Sequence, residues 1–149
     1  MAESLLEIRN LAIAFRSDME EVEAVKGVSL SLERVETLAL VGESGSGKTV
    51  TAQSVLRLLP ESAHYPSGEV LFQGRDVLKM DEEALLALRG NDAGMIFQEP
   101  MTALNPVYTV ARQLIEAIRL HQPLGPEAAR AQAIGLLERA GIEEAEKRI

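Results

Sequence analysis

The segment Gly42-Glu43-Ser44-Gly45-Ser46-Gly47-Lys48-Thr49 constrains this chain more than any other part of it. It fits the pattern G-x-x-x-x-G-K-[ST], and its flanks suit that pattern. Before it stands Leu38-Ala39-Leu40-Val41, a continuous apolar run of the kind found in a strand buried on both faces of a parallel sheet. After it, Lys48 to Leu59 reads as a helix that Pro60 stops. The spacing therefore predicts a strand–turn–helix unit. Glycines at 42, 45 and 47 permit backbone angles and close approaches that a Cβ forbids. A loop bent in this way presents several N–H groups as an anion nest, and the helix adds its positive end. Lys48 supplies a full positive charge for β- and γ-phosphates, and Thr49 a hydroxyl for Mg²⁺. The bland alternative is a glycine-rich turn with an incidental lysine. Agreement between motif and flanks argues against it.

The remaining chain divides by pattern. Leu11, Ile13 and Phe15 alternate, as do Val28, Leu30 and Leu32 with Ser29 and Ser31 between them. Period two predicts strands with one wet and one buried face, joined by a polar hairpin loop at Ser17-Asp18-Met19-Glu20-Glu21. Ser67-Gly68 opens a short strand over 69–73, and Asp81 is placed to cap a helix through Leu88, ended by Gly90. Ala93 to Phe97 reads as a second apolar strand. Beyond Gln98, Val110, Leu114 and Ile118 fall on one helical face, over 109–121. Pro126 suits the first position of a second helix, over 127–140, and Gly141 its C-cap. The expected division is a mixed body over 1–98 and a helical piece over 99–149.

Composition removes several functional classes. With no cysteine, there is no disulfide framework, thiolate metal site or cysteine nucleophile, although a cysteine-free chain fits any compartment. Fifteen basic against 23 acidic side chains give a net charge of −8, which argues against binding nucleic acid non-specifically. No apolar run reaches the roughly 18 residues of a membrane span. Met1-Ala2-Glu3-Ser4 lacks the basic, then apolar, start of a signal peptide. A phosphate cradle alone names no function, since small-molecule kinases, GTPases, helicases and transport ATPases all share it.

Gly94-Met95-Ile96-Phe97-Gln98-Glu99-Pro100, together with Gly42 to Thr49, resembles the nucleotide-binding subunit of an ABC transporter. Gln98-Glu99-Pro100-Met101-Thr102-Ala103-Leu104-Asn105-Pro106, Lys48-Thr49-Val50-Thr51-Ala52 and Leu56-Arg57-Leu58-Leu59-Pro60 narrow the resemblance to the oligopeptide and dipeptide importer branch. It covers essentially the whole chain. It implies an α/β fold: a P-loop NTPase core with an N-terminal antiparallel β subdomain and the start of a helical subdomain, an incomplete domain. It implies ATP and Mg²⁺ as cofactors, held by Gly42, Glu43, Ser44, Gly45, Ser46, Gly47, Lys48, Thr49 and Val50. Phe15 matches the aromatic that stacks on adenine, against a plain packing role on its strand. Gln98 matches the glutamine that reaches the metal and the attacking water, an amide being able to ligate a cation and orient water. The implied partners are the transporter's membrane subunits and a second nucleotide-binding domain. The implied location is peripheral, on the cytoplasmic face of the inner membrane. Branches that import nickel or glutathione share these motifs.

Departures from the family pattern matter equally. The Leu-Ser-Gly-Gly-Gln signature, a Walker B strand ending in Asp-Glu and a switch histidine are not in this sequence. Val77-Leu78-Lys79-Met80-Asp81-Glu82 only superficially resembles Walker B: Lys79 interrupts it, it precedes Gln98, and Asp81 is a better helix cap. His64 and His121 read as solvated, in a loop and at a helix end. The ending at Glu146-Lys147-Arg148-Ile149 suggests the N-terminal portion of a longer subunit, unable to hydrolyse ATP alone and marginal in stability. Val35 stands where the family usually has a turn glycine, and a positive φ there would cost roughly 1–3 kcal/mol. Two other readings stay open: a non-catalytic truncated product that binds membrane subunits, and a different P-loop enzyme such as a small-molecule kinase. For the latter, no cluster of lid arginines is found.

Overall fold

A computed structural model describes residues 4–17, 19–99 and 103–149. The readings made of Met1 to Glu3, of Asp18 in the hairpin loop and of Pro100 to Thr102 lie outside these residues. The chain forms two compact units, 1–93 and 94–149.

The first unit is organised on a four-stranded antiparallel sheet of order β2-β1-β3-β4. Strand β1 (Leu6–Arg16) pairs on one side with β2 (Glu21–Leu32) and on the other with β3 (Ala63–Phe72); β4 is Arg75–Asp76. The β1–β2 turn forms as its polar residues predict. The Ser17 hydroxyl accepts from the Glu20 N–H at 3.2 Å, and the Ser17 N–H donates to the Glu20 carbonyl at 2.9 Å. Val28, Leu30 and Leu32 are half-buried between exposed Ser29 and Ser31, as alternation requires. Strand β1 departs from its expected one wet face. Leu11, Ala12, Ile13 and Ala14 are all buried, because a central strand with small alanines between large residues can be covered on both faces.

Strand β3 begins six residues ahead of its expected start at 69 and takes in His64 and Pro66. Its register against β1 slips between Arg9 and Ala12. At that slip Gly68 has φ +96, and Asn10 of β1 has φ 46. A Cβ on Gly68 would lie 2.5 Å from the Asn10 carbonyl oxygen and from Leu11 Cα. Glycine thus lets the two backbones approach through a bulge, and the pairing continues past it.

Helix α1 (Lys48–Ser54) is shorter than its pattern predicts. Arg57 turns left-handed at φ 48, and the Leu58 N–H closes back on the Gln53 carbonyl at 3.0 Å, so the chain leaves the helix before Pro60. A 3₁₀ turn (Val77–Lys79) leads into α2 (Glu82–Leu88). Asp81 caps α2 as expected, accepting from the Ala84 N–H at 2.9 Å. Buried Leu85 and Leu88 give α2 its apolar face.

Two expected strands do not form. Residues 37–41 and 94–97 lie outside every strand, and Ala93 makes a single parallel bridge to Arg89. A strand buried on both faces needs ladder partners and helices over it. Among the described residues neither run has a ladder, so Leu38 and Leu40 stay more than two-fifths exposed and Val41 and Ile96 almost fully so.

The second unit contains α3 (Val110–His121), α4 (Pro126–Arg139) and a short α5 (Ala145–Arg148). Thr109 caps α3 through Arg112 N–H, and Pro126 opens α4. Ile118, Ala129 and Ala133 form its core, with Leu114, Ile115, Leu124 and Ile149 packed around it. The expected apolar face of α3 is therefore turned onto α4. Gly141, with φ 82, ends α4 as its sequence position predicts.

Candidate phosphate-binding site

The cradle sits in the first unit, where a segment without regular secondary structure from Thr37 leads into α1. Ser46 N–H donates to the Glu43 carbonyl at 3.3 Å, closing a turn. Gly45 and Gly47 take φ +79 and +86, which only glycine adopts without strain. Two of the three glycines also answer to space. A Cβ on Gly42 would lie 2.9 Å from Ser46 Oγ, and one on Gly47 would lie 2.7 Å from the Ala24 carbonyl oxygen of β2. The loop is thereby pressed against the sheet at Gly47.

Helix α1 starts with donors to spare. Its first turn is fixed by Thr51, whose N–H and hydroxyl both donate to the Gly47 carbonyl, at 2.8 and 2.9 Å. The backbone N–H groups of Gly45, Gly47, Lys48, Thr49 and Val50 have no protein acceptor among the described residues. The last three are the unsatisfied first N–H groups that any α-helix leaves. Gly45, Ser46, Gly47, Lys48, Thr49, Val50 and Ala24 line a hollow of about 150 Å³ here.

Lys48 is folded back over this loop. Its ammonium donates to the carbonyls of Gly42 and Glu43, at 2.8 and 2.6 Å, and to Ser46 Oγ at 3.2 Å. The cation thus satisfies the loop's outward carbonyls while the N–H groups lie open. A polyanion entering the hollow meets those donors first and competes for Lys48.

The structure gathers Gly45 to Val50 at one hollow, and Gly42 through its contact region with Ser46. Glu43 and Ser44 belong to the same turn. Phe15 does not line the hollow. It is half-buried near the end of β1, paired with Val22 of β2 and Ala63 of β3. Gln98 belongs to the other unit and is exposed. The sequence reading missed Ala24, which has no local signal: it reaches the hollow only through the pairing of β2. His64 corrects the sequence reading. It lies in β3, half-buried, with Nε2 3.2 Å from Glu21 Oε1 and Nδ1 buried without a partner. Pairing of 63–67 with β1 draws it into the sheet. Val77 to Glu82 forms a 3₁₀ turn and a helix cap, with Lys79 paired to Asp76 at 2.7 Å. This agrees with rejecting it as a Walker B strand.

Among the described residues no group of three or more His, Asp or Glu is placed to hold a metal ion. The donors suited to Mg²⁺ are neutral oxygens such as the exposed Thr49 hydroxyl, so an ion here would need phosphate oxygens for its remaining ligands.

Comparison with known proteins is consistent with this geometry. The family model described as "ABC transporter" matches residues 25–149. The oligopeptide transport ATP-binding protein OppD of Bacillus subtilis is 45% identical over 97% of this chain, which spans 41% of that protein. The peptidoglycan transport ATP-binding protein YejF of Agrobacterium fabrum is 51% identical over 97% of the chain, which spans 27% of it. Among solved structures, a dimeric bacterial ABC transporter cassette, MJ0796, superposes with a TM-score of 0.79 at 23% identity, over 93% of this chain and 58% of that one. The same cassette bound to ADP and Pi gives 0.77 at 22% identity. The fold is that of an ATP-binding cassette: a P-loop α/β core with an antiparallel β subdomain and a helical part. No helix among the described residues is long and apolar enough to cross a membrane. The chain belongs to the ABC transporter family.

Proposed function

We propose that this chain binds ATP as the energy-coupling part of an importer for peptides or similar small solutes. The observation that carries the reading is the set of N–H groups of Gly45, Gly47, Lys48, Thr49 and Val50, unpaired among the described residues, beside the Lys48 ammonium and around one hollow. Such a set is matched to a polyphosphate. The relatives' names supply the transport class, since they include oligopeptide and putative peptide import ATP-binding proteins.

In this reading Lys48 leaves the Gly42 and Glu43 carbonyls for the β- and γ-phosphates. Gly42 to Val50 wrap the phosphates, Thr49 offers its hydroxyl to Mg²⁺, and Phe15 stacks on the adenine. Gln98, by its match to the family's glutamine, would ligate the metal through its amide oxygen and orient water. Mg²⁺, when bound, neutralises charge on the phosphates. Membrane subunits and a second nucleotide-binding domain are the partners, and the cytoplasmic membrane face the location. The two expected parts, 1–98 and 99–149, take the roles of nucleotide core and first part of the helical subdomain. Walker B, signature and switch residues are not among these 149. The reading made for these 149 residues is ATP binding.

Calorimetric titration with ATP, ADP and AMP, with and without Mg²⁺, tests the reading. Affinity is expected to rise with phosphate number and to strengthen with Mg²⁺. Equal affinity for AMP and ATP, or no binding of either, removes the assignment.

A further inference from the structure

Helix α1 has only seven residues, too few to hold its shape or direction by its own hydrogen bonds. Its N-terminal end is set against β2 at Gly47 and Ala24. Its other end is held by two arginines in opposite directions. Arg89, just past α2, reaches back to the turn that closes α1: its Nε donates to the Leu56 carbonyl at 2.9 Å and its Nη2 to the Arg57 carbonyl at 2.8 Å. Arg57, in that closing turn, reaches forward: its Nη1 donates to the Met80 carbonyl, just before α2, at 2.7 Å.

Two features mark this arrangement as more than incidental surface pairing. Arg57 occupies the left-handed position that closes the helix, at φ 48, where glycine is the usual residue. Arginine there forgoes backbone comfort, and what it gains is the reach to Met80. Arg89 in turn uses two donors of one planar fork on two successive carbonyls, at the negative end of the helix, where a cation is favoured. An ammonium has no such fork. Both side chains are half-buried, and Leu56, Leu85 and Leu88 around them are buried.

We propose that Arg89 is a positioning residue for the phosphate cradle: through its forked contact with Leu56 and Arg57 it fixes the helix that presents Lys48 and Thr49. The inference rests on reading the 42–49 loop as a nucleotide site. A helix of this length is only about 10 Å long, so freeing the turn that closes it loosens the donors of its first turn as well. The guanidinium touches no phosphate. It acts through α1, against the fixed point at Gly47.

The test uses the whole chain and three variants: Arg89→Ala, Arg89→Lys and Lys48→Ala. Two quantities are read, the ATP dissociation constant and the amide chemical shifts of residues 45–50 without nucleotide. Arg89→Ala is expected to weaken ATP binding about tenfold. It should also move the 45–50 amides and leave those of β1–β3 in place. Arg89→Lys, which keeps the charge but loses the fork, should recover only part of both effects. Methylguanidinium added to Arg89→Ala should restore binding at concentrations that leave the parent protein unchanged. Unchanged 45–50 amides in a folded Arg89→Ala protein overturn the proposal. If Arg89→Ala does not fold, parent-like affinity and amides in Arg89→Lys overturn it instead. Failure of the nucleotide reading looks different. The parent and Lys48→Ala would then bind ATP equally or not at all, while the amide shifts would still report whether Arg89 sets the loop.

Discussion

The Lys48 ammonium lies 2.6 Å from the carbonyl oxygen of Glu43, five residues earlier in the same loop. With the Gly42 carbonyl and Ser46 Oγ as its other partners, this cation keeps a loop of open N–H donors closed on itself. The same side chain therefore has two sets of partners available, carbonyls without ligand and phosphates with one.

Removing it affects both states. Lys48→Ala is expected to lower ATP affinity by about a hundredfold or more, since charge-assisted contacts to phosphate are lost. Without nucleotide, the variant should show faster amide exchange at Ser46, whose turn loses its crossing cation. Calorimetry and hydrogen exchange read the two effects. Parent-like ATP affinity in Lys48→Ala would mean that the loop does not grip phosphate.

The bulge between β1 and β3 makes a second expectation. At Gly68 a Cβ would stand 2.5 Å from backbone atoms of Asn10 and Leu11, and φ is +96. Backbone cannot yield as a flexible side chain can. Gly68→Ala should destabilise the first unit by about 3 kcal/mol, combining overpacking with strain. Urea unfolding followed by circular dichroism measures it, and a shift of a few tenths would show that the bulge relaxes.

How much of this could be read from the residues depends on whether the signal was local. The cradle was legible because its chemistry, glycines and lysine all sit within one loop. Asp81, Pro126 and Gly141 were legible as helix ends for the same reason. Strand β3 was only half legible: nothing in Ala63-His64-Tyr65-Pro66 reads as strand, and it pairs because Gly68 permits the bulge. The runs at 37–41 and 93–97 were misread because apolar composition announces burial but not the ladder that burial needs. Ala24 and Arg89 were invisible, since each reaches its place through an element distant in sequence.

Val35 bears out a sequence expectation in detail. It turns with φ 65 and its side chain is fully exposed, so it bears backbone strain with no packing in return. The turn itself is held by Glu36 N–H on the Glu33 carbonyl at 3.3 Å and by Glu33 N–H on the Glu36 carboxylate at 2.7 Å, neither of which uses Val35. Val35→Gly is therefore expected to stabilise the protein by about 1 kcal/mol, strain relief outweighing the added freedom of the unfolded chain. Thermal and denaturant midpoints should both rise. A fall in either would show that the turn gains from the restricted valine backbone.

Tyr65 supplies a dependence on pH. Burial pushes its phenol above the ordinary tyrosine value, and the Arg57 guanidinium draws it partly back by favouring the phenolate. A pKa raised on folding means that the neutral phenol's contribution is fully present below the unfolded value, about 10. It is lost as pH climbs through the folded value. Stability should accordingly fall across the alkaline range above that point. The sequence has two tyrosines, so the titration is read by ultraviolet difference absorbance in a Tyr108→Phe background. Tyr65 should ionise later than free tyrosine, and Arg57→Gln should delay it further by removing the guanidinium's attraction for the phenolate. Ionisation at or below the free value would place Tyr65 in solvent and remove Arg57 from its surroundings.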